Sequence, residues 1–271
     1  MSEEIITAAC QEQPPRWMRA LVDVSWLPSD NGLLISTYES GQVCLWDTST
    51  LTVADTLHIR HGIYAHAVSL LNSVNLAVSG ERTVTIIDLR SSASIQRLSP
   101  NRDSLQAKAH SLLWDPHNEP ILYGGFGDER VCKWDIRRPD KVQLLCEMPN
   151  SGHGKNVVTM RSLGCGYICY MTKDGILSLI NKTDGQTIHR TEMEFTCHEG
   201  YKMEVIEQTS DSLVILPSYD RLKAFNLKYG MEEWTKELFE IPDVDQVIYN
   251  HHHLELYLLP RDQATVYVCG L

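Results

Sequence analysis

The chain has 271 residues, 43% of them hydrophobic and 22% charged, which is the make-up of a globular protein long enough for a sizeable core. Its formal net charge is −11, from 24 basic and 35 acidic side chains with no basic run, and this argues against direct binding to a nucleic-acid backbone. No apolar run has the length of a membrane-spanning helix, and Met1-Ser2-Glu3-Glu4 is acidic where a secretory or organellar leader is basic, so no membrane association and an intracellular location are expected.

In chain order, the first predicted strand is "EIITAAC", Glu4 to Cys10, and Pro14-Pro15 then break any helix. Trp26 follows, and twenty residues later comes Trp46-Asp47. A weaker copy, "SGERTVTIIDLR", places Ile87-Asp88 41 residues after Trp46. Trp114 and, twenty residues later, Trp134-Asp135 repeat the first pair at an offset of 88, twice 44. Ile180-Asn181, Phe225-Asn226 and Val268 continue the series at steps of 46, 45 and 43.

Each unit has one grammar. An alternating run leads through polar residues to a second strand, a tight turn, and a third strand ending in an apolar residue, often before Asp or Asn. The turns are Ser40-Gly41, Gly80-Glu81, Gly127-Asp128, Asp174-Gly175, Tyr219-Asp220 and Arg261-Asp262. His61, His110, His153 and His198 stand near the starts of four units. The third strands ("VCLWD", "VTIID", "VCKWD", "KAFN") are β-branched or aromatic and too short for helices.

Period and signature resemble WD40 repeats. The expected fold is all-β: a single WD40 β-propeller domain over 1–271, with six repeats visible at about 20–60, 61–108, 109–151, 152–196, 197–240 and 241–271. It is either six-bladed or an incomplete seven-bladed ring. Residues 1–19 supply a closing strand, with Glu4 to Cys10 pairing onto the last unit so that no sheet edge is left open. Trp46, Asp47, Asp88, His110, Asp128, Trp134, Asp135, His153 and Asp174 are read as structural repeat residues. Trp134 should pack between blades, and its indole needs a hydrogen-bond partner. Asp128 and the early His are candidates for a buried polar network pinning the blade.

A narrower resemblance rests on three stretches: Leu21 to Thr56, "IYAHAVS" (Ile63 to Ser69) and "RVCKWDIRR" (Arg130 to Arg138). They are similar to the Cockayne syndrome A family, in register from about Leu21 to Leu271 and weakly after His153. The resemblance implies a nuclear substrate receptor of a cullin–RING ubiquitin ligase in transcription-coupled nucleotide-excision repair. The implied partners are the adaptor known as damaged-DNA-binding subunit one, the Cockayne syndrome B translocase and RNA polymerase II. The first unit matches the family's second blade, so the family's first blade and N-terminal docking segment have no counterpart here.

Leu122 to Arg137 also fits the sixteen-residue box of WD40 subunits in this ligase class. There the Arg after Trp-Asp contacts the adaptor, a role suited to a planar fork that binds carboxylates or carbonyls bidentately. Arg137 is therefore the candidate adaptor contact, with Arg90 in "IDLR" as a second copy. The plainer alternative is an Arg that is only solvent-exposed or caps its own turn.

Other chemistry is weaker. His251-His252-His253 reads as a polar loop, because strand neighbours point to opposite faces. Cys165 and Cys169 with His153 and His189 have no zinc spacing. Eight scattered cysteines without a CxxC pair do not form a disulfide framework, and Cys44 and Cys132 read as small buried hydrophobes. No phosphate loop, nucleophile elbow or metal set is visible, so neither an enzyme nor a cofactor is expected. The rival readings are a general WD40 scaffold in another nuclear complex and, from a different class, a propeller hydrolase.

Overall fold

A computed structural model describes residues 20–72, 74–99, 108–127, 129–147, 155–164, 166–197, 201–207, 212–218, 221–227, 231–237, 244–250, 255–260 and 267–270. Glu4 to Cys10, Asp128, His153 and His251 to His253 lie outside them.

Short β-branched runs broken by Gly, Asp and Ser fold into antiparallel meanders, each strand beside the next in sequence. The first sheet holds Leu21–Leu27, Asp30–Tyr38, Gln42–Asp47 and Thr52–His58. The second holds His66–Val68, Asn75–Ser79, Val84–Asp88 and Ala93–Leu98. The third holds Ser111–Trp114, Ile121–Gly125, Val131–Asp135 and Val142–Cys146. The fourth holds Val157–Leu163, Tyr167–Thr172, Ile176–Asn181 and Thr187–Glu192. The fifth holds Glu204–Glu207, Ser212–Ser218, Arg221–Asn226 and Met231–Glu237. The sixth holds Val244–Asn250, Glu255–Pro260 and Tyr267–Gly270.

Six sheets follow the six expected repeats: five have four strands and the sixth has three among the described residues, and the closing strand expected at Glu4 to Cys10 lies outside them. No described strand pairs beside Tyr267–Gly270 to complete it.

Successive sheets stack face to face. One apolar cluster joins the first and second blades through Ile35, Val43, Leu76 and Val78. The next joins the second and third through Ile86, Leu98, Leu122 and Trp134. Further clusters join third to fourth through Tyr123 and Tyr170, fourth to fifth through Met171 and Val214, and fifth to sixth through Ile215 and Val247. The innermost strands, with the residues leading into them, line one channel: Asp23, His66, His110, Thr159, Arg161 and Lys202 come from five different blades. The sixth is tied in by a parallel bridge between Lys202 and Gln246.

Candidate functional site

The third strand of each of the first four blades ends in the same turn. Asp47, Asp88, Asp135 and Asn181 each accept, through a side-chain oxygen, the backbone N–H two residues on, at 2.7–3.0 Å. This is the Asx turn that short polar side chains favour. The residue two places on is Ser49, Arg90, Arg137 and Thr183 in turn. Only the second and third blades of these four therefore present a guanidinium there.

Each of those arginines folds back on its own aspartate. Arg137 donates from Nε to Asp135 Oδ1 at 2.9 Å and from Nη2 to Oδ2 at 2.6 Å. Arg90 makes the same pair of bonds to Asp88, at 3.3 and 3.1 Å. The fork-to-fork geometry fixes the plane of the guanidinium and leaves the Nη1 donors unused. Both side chains stay in solvent, with 70% of Arg137 and 72% of Arg90 exposed. The hydrogen bonds from Arg137 hold the Asp135 carboxyl down at about 2. Those from Arg90 lower Asp88 in the same way. Turn capping and outward display thus coexist in one side chain.

The Arg137 turn is braced by the neighbouring blade. Gln96, on the outer strand of the second blade, donates from Nε2 to the Ile136 carbonyl at 2.7 Å, inside the Arg137 turn. Both arginines follow third strands that run in the same sense in adjacent blades, so they share one end of the molecule.

The remaining repeat residues are placed as follows. Trp134 is fully buried between the second and third blades and meets Phe126 edge-on, with ring centroids 5.9 Å apart. Its Nε1 donates to the Ser99 carbonyl at 3.1 Å. Trp46 is half-buried, and its Nε1 donates to Ser36 Oγ at 2.7 Å. Asp174 accepts the Thr172 hydroxyl at 2.5 Å and so tightens the turn at Gly175, which takes a φ of +86°. His110 is half-buried on the channel wall. Cys44, Cys132 and Cys169 are buried free thiols, the last two pushed well up by desolvation.

Several polar groups escaped sequence reasoning. In the channel, Lys202 donates to Asp23 at 2.5 Å and Arg161 faces Glu204 at 3.8 Å. Buried His66 contacts Ser25 Oγ at 2.7 Å and Thr37 Oγ1 at 2.8 Å. Between the third and fourth blades, Arg190 grips the fully buried Glu129 with both terminal nitrogens, while the Tyr170 hydroxyl donates to the same carboxylate at 2.8 Å. Buried Lys182 reaches Asp115 at 3.4 Å. Each pair joins positions far apart in sequence, with no spacing that would advertise it.

The WD repeat-containing protein ATCSA-1 of Arabidopsis thaliana is 30% identical over 129 residues, covering 46% of this chain and 28% of that relative's length. The fold is a WD40 β-propeller. No protein-family model matches the chain. The propeller and its WD-repeat relative support a non-catalytic protein-interaction scaffold, a fold that typically works without catalysis.

Proposed function

We propose that this propeller is a substrate receptor of a cullin–RING ubiquitin ligase, acting in the nucleus in transcription-coupled nucleotide-excision repair. Arg137, with Arg90 secondary, contacts the ligase adaptor, damaged-DNA-binding subunit one. The Cockayne syndrome B translocase and RNA polymerase II are the partners that it brings to the ligase. The observation that carries the reading is the pair of Asp-x-Arg turns in adjacent blades, each with an exposed guanidinium held bidentately by its own aspartate.

The physical logic is pre-organisation. An exposed arginine loses rotamer freedom when it binds, at a cost of about 0.5–1.5 kcal/mol. Asp135 has already fixed the Arg137 fork, so the unused Nη1 donors can meet an adaptor carboxylate or carbonyl without that loss. The intramolecular pair lies at the surface and is itself worth only about 0–1 kcal/mol of stability.

The test is adaptor binding by the purified chain, followed by titration calorimetry. Arg137→Ala should keep its melting temperature and weaken binding about tenfold or more, equivalent to about 1.4 kcal/mol. Arg137→Lys should rescue only part, because a point charge does not reproduce the fork. Asp135→Ala, which leaves the arginine in place but untethered, should fall between the two. An adaptor that ignores the wild-type chain, or that binds Arg137→Ala equally well, sinks the proposal.

A further inference from the structure

Between the rims of the first and second blades runs a cleft of about 320 Å³ whose lining includes neither Arg90 nor Arg137. One wall is the outer strand of the first blade and its exit, Thr56 to His61. The other is built from Thr85 and Ile87 on the third strand of the second blade and from Ser92, Ser94 and Arg97 on and beside its outer strand. Leu57, Ile59 and Ile87 give it an apolar floor that continues into the core between these blades.

The rim is cationic on a chain whose net charge is −11. Arg60 and Arg97 stand on opposite walls, both exposed, with the exposed His58 beside Arg60. Neither arginine has an acidic partner among the described residues, whereas Arg90, Arg137, Arg161 and Arg190 each face a carboxylate. Asp55, on the strand leading into the first wall, accepts the Ser92 hydroxyl through Oδ2 at 3.3 Å across the two blades. Two forks with no acidic partner among the described residues, set over an apolar floor, make a surface complementary to carboxylates that alternate with apolar side chains.

The shape narrows the occupant further. The wall strand Thr52–His58 is the last strand of its sheet, so one of its edges is open for main-chain pairing. An extended segment laid along it would point alternate side chains down and out. Apolar residues would meet Leu57, Ile59 and Ile87, and acidic ones would meet Arg60 and Arg97. The volume suits a few side chains, whereas a single phosphate would leave most of it empty.

We propose that this cleft is a docking groove for an extended acidic segment of a partner protein, in which Glu or Asp alternates with apolar residues. The groove lies on different residues from the adaptor contact, so the two ideas stand or fall separately.

The experiment uses the full chain and a fluorescent peptide of alternating Glu and Leu, read by anisotropy without any ligase component. Binding should be saturable and should weaken with salt, because charge pairing at a rim is screened. The double reversal Arg60→Glu/Arg97→Glu should weaken it about tenfold or more, with each single Ala variant intermediate and all melting temperatures unchanged. A Gln-Leu peptide should bind at least about tenfold more weakly than the Glu-Leu peptide. The proposal is overturned if the Glu-Leu peptide does not bind, if the reversal leaves its affinity unchanged, or if the Gln-Leu peptide binds equally. It is also overturned if an oligothymidylate displaces the peptide at lower concentration, which would assign the cleft to nucleic acid.

Discussion

At the scale of single residues, Trp134 shows how a repeat signature becomes stability. Its indole is fully buried, packs on Phe126, and sends its one donor to the Ser99 carbonyl of the preceding blade's final segment. Gly124 lies directly beneath the ring: a Cβ there would stand 2.8 Å from the indole, so the position has room only for glycine. Trp134→Ala removes a large aromatic and orphans a carbonyl, at a cost of about 3–5 kcal/mol. Against a total stability of about 5–15 kcal/mol, that variant should melt far lower or be recovered mostly insoluble. Thermal unfolding followed by near-ultraviolet circular dichroism checks this, and an unchanged melting temperature would contradict the packing described. The Trp134 burial was legible in advance because Trp-Asp recurs at fixed spacing. The indole's partner was not, since a backbone carbonyl 35 residues away carries no sequence mark. Arg137 was legible as an exposed residue after its strand, and its grip on Asp135 was open as an alternative.

At the scale of elements, the seam between the third and fourth blades depends on a charge pair. Glu129 follows the second hairpin turn of its blade with a φ of +55°, a conformation that glycine adopts more readily. The strained backbone aims its carboxylate between the sheets. Arg190 on the outer strand of the fourth blade meets it, and the Tyr170 and Ser178 hydroxyls complete the shell. Desolvation and the nearby acidic groups push the Tyr170 phenol upward, so it remains a donor. Breaking a buried pair from one side strands the other charge and typically costs about 3–5 kcal/mol. The Arg190 side chain is 30% exposed, so solvent screening places Arg190→Met near or below the lower end of that range. Adding Glu129→Gln should restore part of the loss, because the stranded charge is gone. Urea denaturation of the single and double variants measures this, and a single variant within about 0.5 kcal/mol of wild type would show that water already satisfies Glu129. Strand and turn order could be read from the sequence because it is a local pattern of period two punctuated by Gly and Asp. A pair formed between residues 61 positions apart, where both look like ordinary surface charges, could not.

At the scale of the molecule, the channel ties distant parts of the chain together, and its chemistry sets a pH dependence. Lys202 of the fifth blade reaches Asp23 of the first, 179 residues away. Beside them His66 is buried with its ring between Ser25 and Thr37, so the first and second blades meet through one imidazole. Burial pushes that imidazole down to about 4 from an ordinary 6.5; Asp23 opposes the shift and Lys202 adds to it. Burial is the largest influence on the Asp23 carboxyl and would raise it, but Lys202, His66 and the Val24 N–H together outweigh it, so Asp23 titrates below its ordinary value and outside the histidine's window. The unfolded chain takes up a proton near pH 6.5 that the folded chain refuses until about pH 4. His66 therefore contributes fully above pH 6.5, and its contribution is lost as pH falls from 6.5 toward 4. At about 1.4 kcal/mol for each pH unit of that window, the loss is on the order of 3 kcal/mol. His66→Gln keeps a donor and an acceptor between the two hydroxyls but does not titrate. Its melting temperature should start lower than wild type near neutral pH and then fall less steeply on acidification toward about pH 5. If the two melting curves shift in parallel across that range, the imidazole is not the titrating group.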